Sequence, residues 1–177
     1  AKREGEDLEV NTLYTGETLD VERAVLRLRR IGNRGVLTYK ESLPPRLDMK
    51  HRREDETQVD DPDAMELILE ALGFTAALLY EKRRETWRLA QTEIVIDELP
   101  FGLFMEIEGS EEDIREVETK LAIRRLKTET LSYPRLVLQH GTRKGEVIES
   151  RFVTQERKMR PRPLGAKPLG SVRRKGS

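Results

Sequence analysis

The stretch FGLFMEIEG, Phe101–Gly109, decides how the rest of the chain is read. In steps of two, Met105 and Ile107 fall on one side and Glu106 and Glu108 on the other. Successive side chains of a strand point to opposite faces, so this spacing predicts a strand with one apolar face. Far upstream LRLRR repeats the pattern with the opposite charge: Leu26 and Leu28 on one side, Arg27 and Arg29 on the other. Further strands are read in VLTYK (Val36–Lys40), HRREDETQV (His51–Val59), ALLYEKRRETWRL (Ala77–Leu89) and QTEIVIDEL (Gln91–Leu99). Gly, Asn and Pro punctuate several of the gaps, as in GNRG and LPFG. The segment VERAVLRLRR also fits a helical period through Val21, Ala24, Val25 and Leu28, and only its second half is assigned to strand.

Two helices stand between these strands. In DDPDAMELILEALGF, Asp61 suits the N-cap, Pro62 the first helical position and Gly73 the residue past the end. Met65, Ile68, Leu69 and Leu72 form its expected apolar stripe. In GSEEDIREVETKLAIRRL, Ser110 caps a first turn rich in acids, which the helix dipole favours, and Ile114, Val117 and Leu121 form the buried stripe. Neither helix carries chemistry.

Composition bounds the function. At 177 residues the chain suffices for one domain with a substantial core. Charged residues make up 37% of it and balance at 33 of each sign, which argues against a wholly basic nucleic-acid binder. With no cysteine, there is no thiolate nucleophile, disulfide or Cys-ligated zinc. No apolar run approaches the roughly 20 residues needed to cross a bilayer, so no membrane partner is expected and a cytoplasmic location follows by default. The first residue is Ala1 rather than Met, which points to a processed or incomplete start.

The charged positions form a set. Arg27 and Arg29 alternate; so do Arg52, Glu54 and Glu56, then Lys82 and Arg84, then Glu106 and Glu108, while Lys40 and Asp97 join near strand ends. A solvated outer face explains any one of these strands. Across the set the residues are almost purely ionisable, without the Thr, Ser and Gln of an ordinary wet face. If the sheet curls into a barrel with helices packed outside, the apolar faces become core and the charged faces line a tunnel. Buried charges need partners or a charged ligand. Arginine forks match phosphate oxygens and hard divalent cations take oxygen ligands, so a polyanion with metal is the expected content.

In their order along the chain, NTLY (Asn11–Tyr14), LRLRR, LTYK, Arg52/Glu54/Glu56, Lys82/Arg84 and VIDELPFGLFMEIEG resemble the CYTH superfamily. Those triphosphate tunnel metalloenzymes include class IV adenylyl cyclases and thiamine triphosphatases, and the likeness runs over about Asn11 to Arg151. It implies an α+β fold, an antiparallel β-barrel tunnel with helices outside. It also implies phosphate ligands at Arg27, Arg29, Lys40, Arg52, Lys82 and Arg84. Metal ligands for Mg²⁺ or Mn²⁺ are implied at Glu106, Glu108 and Asp97, with Glu54 and Glu56 as further metal or lysine partners. The substrate would be a triphosphate-bearing small molecule: ATP, thiamine triphosphate or tripolyphosphate. No catalytic residue is assigned.

The resemblance implies an E-x-E-x-K strand and a helix before NTLY, which this sequence does not contain. EVETK, Glu116–Lys120, matches that pattern but lies in the expected second helix, where residues two apart do not share a face. The expectation is therefore a tunnel domain over 1–153, lacking its first strand and helix, with unpaired strand edges open to self-association. Residues 154–177, basic and rich in Pro and Gly, are expected to form a disordered tail. His51 and His140 read as surface residues, and Tyr80 and Trp87 as packing residues. Three functional classes stay open: hydrolysis of a triphosphate, cyclisation of ATP to cyclic AMP and pyrophosphate, or non-catalytic binding of polyphosphate or nucleotide.

Overall fold

The computed structural model describes residues 1–46, 49–123, 126–153 and 171–176, without the side chains of 43–46, 49–52 and 171–176. The fold is α+β and dominated by strands. In chain order these are β1 (Lys2–Thr15), β2 (Ala24–Ile31), β3 (Arg34–Arg46), β4 (Met49–Val59), α1 (Pro62–Ala71), β5 (Thr75–Leu89) and β6 (Thr92–Leu99). There follow β7 (Gly102–Gly109), α2 (Glu111–Lys120), α3 (Tyr133–His140), β8 (Thr142–Lys144), β9 (Val147–Ser150) and β10 (Ser171–Gly176). The chain divides into two compact units: Glu9–Glu81 with Val137–Ser150, and Ala1–Leu8 with Lys82–Leu136 and Arg151–Ser177.

In the unit built on Glu9–Glu81, β1, β2, β3 and β4 pair antiparallel in that order. Their alternation sends Tyr14, Leu26, Leu28 and Val59 to one face, where they pack with Leu69 of α1 and, at the margin, Leu37, Met65 and Phe74. Leu28 is fully buried; burying one such side chain is worth about 1.5–3 kcal/mol. α1 starts as the sequence predicts: the Asp61 carboxylate accepts hydrogen bonds from the backbone N–H groups of Asp63 and Ala64, and Pro62 takes the first turn. Gly73 ends it with φ +87°, a conformation L side chains rarely adopt. Arg30 of β2 fastens the helix by binding Glu66, the Pro62 carbonyl and Asp63. The expected stripe is corrected in part: Met65 and Leu69 face the core, but Ile68 and Leu72 are exposed, because Pro62 and Leu69 set the rotation of this short helix.

The same unit holds the parallel pairing of Leu78–Tyr80 in β5 with Ile148–Ser150 in β9. Gly141, between α3 and β8, lies close against both α3 and β9. A Cβ there would lie 2.6 Å from the Val137 carbonyl oxygen, 2.8 Å from Ile148 Cγ2 and 3.0 Å from the Glu149 carbonyl oxygen. Two of the three are backbone atoms, so Gly141→Ala is expected to cost about 2 kcal/mol, as overpacking does. Urea denaturation measures it, and an unchanged midpoint would show that α3 shifts freely.

In the second unit β5, β6 and β7 pair antiparallel, and β10 lies parallel along β7. The expected tail thus contributes a strand at Ser171–Gly176, with Arg173 at the register position of Glu106 and Lys175 at that of Glu108. One face of β6 and β7 presents Ile94, Met105 and Ile107 to Ile114 and Val117 of α2, with Trp87 and Ile96 at the margin. Ser110 caps α2 by accepting from the Asp113 N–H. Leu121, expected in the stripe, is 37% exposed, since α2 ends at Lys120. EVETK lies in α2, so its carboxylates do not form a strand face.

Candidate functional site

With a helix on the apolar face of each unit, the charged residues occupy the reverse faces. In the unit built on Glu9–Glu81, register sets them in rows. Asn11 of β1 lies opposite Arg29, Arg27 of β2 opposite Thr38, Thr38 of β3 opposite Glu56, and Lys40 opposite Glu54. Arg29 Nε donates to Asn11 Oδ1 at 3.3 Å and lies 3.3 Å from Glu9 Oε2. Glu9 and Asn11 are 2% and 0% exposed, so the β1 side of this face is shielded from water, while Glu54 and Glu56 on β4 are exposed.

Arg27 differs from its neighbour. Its Nη2 donates to Thr38 Oγ1 at 3.2 Å, and its buried Nε has no hydrogen-bond partner among the described residues. Burial and then the nearby charge of Arg29 lower the pKa of Arg27, while Glu9 and Tyr80 oppose that shift. Tyr80, buried beside Arg27, has its own pKa raised by burial. Thr38, itself buried, donates onward to Glu56 Oε2 at 3.0 Å. Lys40 and Glu54 pair at 2.7 Å, both exposed. Arg52 stands opposite Ser42 in register; its side chain lies outside the described residues, as does that of His51.

In the second unit the centre is Asp97, 0% exposed. Arg84, its register partner, grips it with both ends of the fork, Nε to Oδ1 at 2.7 Å and Nη2 to Oδ2 at 2.6 Å. Tyr133 Oη donates to Oδ2 at 2.7 Å, and Lys82 Nζ lies 3.4 Å from the same oxygen and 5.3 Å from the Tyr133 ring centre. Burial alone would raise the pKa of Asp97; the Arg84 hydrogen bonds, the charges of Lys82 and Arg84 and the Tyr133 hydroxyl outweigh it and hold it below the ordinary value. Arg84 Nη2 also reaches Glu106 Oε2 at 3.3 Å, and Glu106 is 1% exposed. Glu108, two residues along on the same face, is partly exposed and lies opposite Glu93 of β6.

The structure therefore joins Lys82, Arg84, Asp97 and Glu106 in one cluster, and Arg27 with Glu56 through Thr38 in another. Glu9, Asn11, Thr38, Tyr80 and Tyr133 are partners that the charge count passed over. Glu9 and Asn11 could have been found, because Glu9, Asn11 and Leu13 alternate with Val10, Thr12 and Tyr14. Nothing local marks Tyr133, which reaches Asp97 from 36 positions away. Among the described residues no group of three or more acidic or histidine side chains stands ready to hold a metal. The donors present fit a hard cation in kind: Glu106 and Glu108 alternate on one strand and offer oxygen.

Each unit is strand-rich, with a helix on one face and paired charges on the other, and the class is α+β. The CYTH domain profile matches residues 13–135, and the chain belongs to that family. The family is metal-dependent in general. A protein of Methanocaldococcus jannaschii named "Putative adenylate cyclase MJ0240" is 34% identical over 99 residues, 54% of this chain and 55% of its own length. The chain thus spans about half the length of that curated relative. The solved PH1012 protein of Pyrococcus horikoshii superposes with TM-score 0.57 at 21% identity, covering 77% of this chain and 85% of that one. The PH1819 protein of the same organism gives 0.54 at 25% identity, covering 78% and 87%. No described helix is long and apolar enough to cross a membrane.

Proposed function

We propose that this chain is an enzyme that binds a triphosphate-bearing small molecule with a divalent cation, Mg²⁺ or Mn²⁺, and promotes reaction at phosphorus. One observation carries the reading: Arg27 is half-buried beside a second arginine, and among the described residues its buried Nε lacks a partner and no carboxylate grips its fork. Two half-buried guanidinium groups on one strand face repel each other, and an anion between them lowers that cost. Phosphate oxygens match the fork geometry of arginine. Arg27 and Arg29 bind the anion directly, with Lys40 farther along β3; Arg52, in register opposite Ser42, is the further phosphate ligand that the family resemblance implies.

In the second unit Lys82 and Arg84 are the phosphate donors. Asp97 has both oxygens engaged, so it orients those two cations and would reach a metal only by giving up one of its bonds. Glu106 and Glu108 are the proposed metal ligands there, with Glu54 and Glu56 as candidates on β4. A divalent cation at such carboxylates supplies Lewis-acid neutralisation of charge on the phosphate oxygens. The name of the Methanocaldococcus relative favours cyclisation of ATP to cyclic AMP and pyrophosphate over hydrolysis.

Tripolyphosphate with Mg²⁺ is expected to raise the melting temperature by several degrees, since ligand at 100 times its Kd adds about 2.7 kcal/mol. Monophosphate at equal ionic strength should do much less; equal shifts from both salts would return the charged faces to solvent. Release of cyclic AMP and of phosphate from ATP then separates cyclase from hydrolase. Binding without either product would leave a polyphosphate-binding module.

A further inference from the structure

We propose that Thr38 is the positioning residue that holds Arg27 ready for phosphate without neutralising it. The inference rests on the phosphate-binding reading above and adds a residue to which no role has been given. Arg27, Thr38 and Glu56 are direct register partners on three successive strands, so their side chains form one row across β2, β3 and β4. Thr38 is 1% exposed. A hydroxyl has one proton to give, and an ionised carboxylate can only accept. Donation from Thr38 to Glu56 at 3.0 Å fixes that proton and turns a lone pair towards Arg27 Nη2 at 3.2 Å. The direction of both bonds is set by Glu56.

Arg84 shows the contrast. It is gripped at both ends of its fork by Asp97, which fixes its direction but cancels its charge on the spot. Arg27 is fixed at one remove: the carboxylate stands behind a neutral hydroxyl, and the guanidinium keeps its field for an incoming anion. Valine in place of Thr38 keeps the shape but loses both bonds, whereas serine keeps them. An acid at position 38 would grip Arg27 as Asp97 grips Arg84.

The test measures tripolyphosphate binding by calorimetry, without metal, in the wild type, Thr38→Ser, Thr38→Val, Arg27→Ala and the Thr38→Val/Arg27→Ala double variant. Thr38→Val is expected to weaken binding about tenfold, the scale of one hydrogen bond to a charged group, with Thr38→Ser near wild type. In the Arg27→Ala background Thr38→Val should add nothing, because Thr38 acts through Arg27. Additive losses, or no loss in Thr38→Val, overturn the proposal. A second readout needs no ligand: side-chain NMR of the Arg27 Nε–H should show a fixed guanidinium in the wild type and Thr38→Ser and a mobile one in Thr38→Val. If the wild type binds no tripolyphosphate but this pattern appears, the phosphate reading fails while the positioning role stands. An Arg27 equally rigid in Thr38→Val removes the role.

Discussion

Asp97→Asn is expected to lower stability by about 3 kcal/mol, the scale found when one partner of a buried ion pair is removed. For a chain of this size the melting temperature falls by about 10 °C. Asparagine fits the space, so the loss is electrostatic. Lys82, 2% exposed, loses its ion pair with Asp97, Arg84 loses its two-ended grip on that carboxylate, and the Tyr133 hydroxyl keeps a weaker acceptor. The effect has a pH signature. The folded-state pKa of Asp97 is depressed, so its stabilisation is fully present above the ordinary carboxylate value of about 3.9 and fades as pH falls through the lower folded value. Stability curves of the wild type and Asp97→Asn should run parallel above about pH 5 and converge below about pH 4. A loss under about 1 kcal/mol, or a gap that persists in acid, would show that Lys82 and Arg84 are held by something other than this carboxylate.

Arg29→Ala is expected to weaken metal-free tripolyphosphate binding by about thirtyfold, from the loss of charge-assisted bonds to phosphate. It also removes the guanidinium beside Glu9, a buried carboxylate, so some stability goes with it. Arg29→Lys separates the two. Lysine restores a positive charge near Glu9 and should recover stability, but it lacks the planar fork and should recover only part of the affinity. Calorimetric titration with parallel urea melts measures both. Wild-type affinity in Arg29→Ala would place the anion elsewhere on this face.

Much of this was legible from spacing alone. Alternation at Leu26–Arg29 and Met105–Glu108 fixed two strands and which of their faces was apolar, because a period of two leaves no other choice. Asp61–Pro62 and Ser110 marked the helix starts, since short polar side chains at those points satisfy backbone N–H groups that nothing else reaches. The order of charged motifs was enough for the family. Burial on the charged faces was decided by tertiary structure. Glu106 and Glu108 look alike in sequence, yet one is 1% exposed and bound by Arg84, and the other is partly open. The family resemblance implies Asp97 as a metal ligand, and nothing in its own segment announces the bonds that Arg84, Lys82 and Tyr133 bring to it from elsewhere in the chain. Likewise, nothing near Thr38 in the chain announces that Arg27 and Glu56 will flank it. Strand spacing is local chemistry, but partners across a sheet depend on register between segments far apart, and that exists only once the chain has folded.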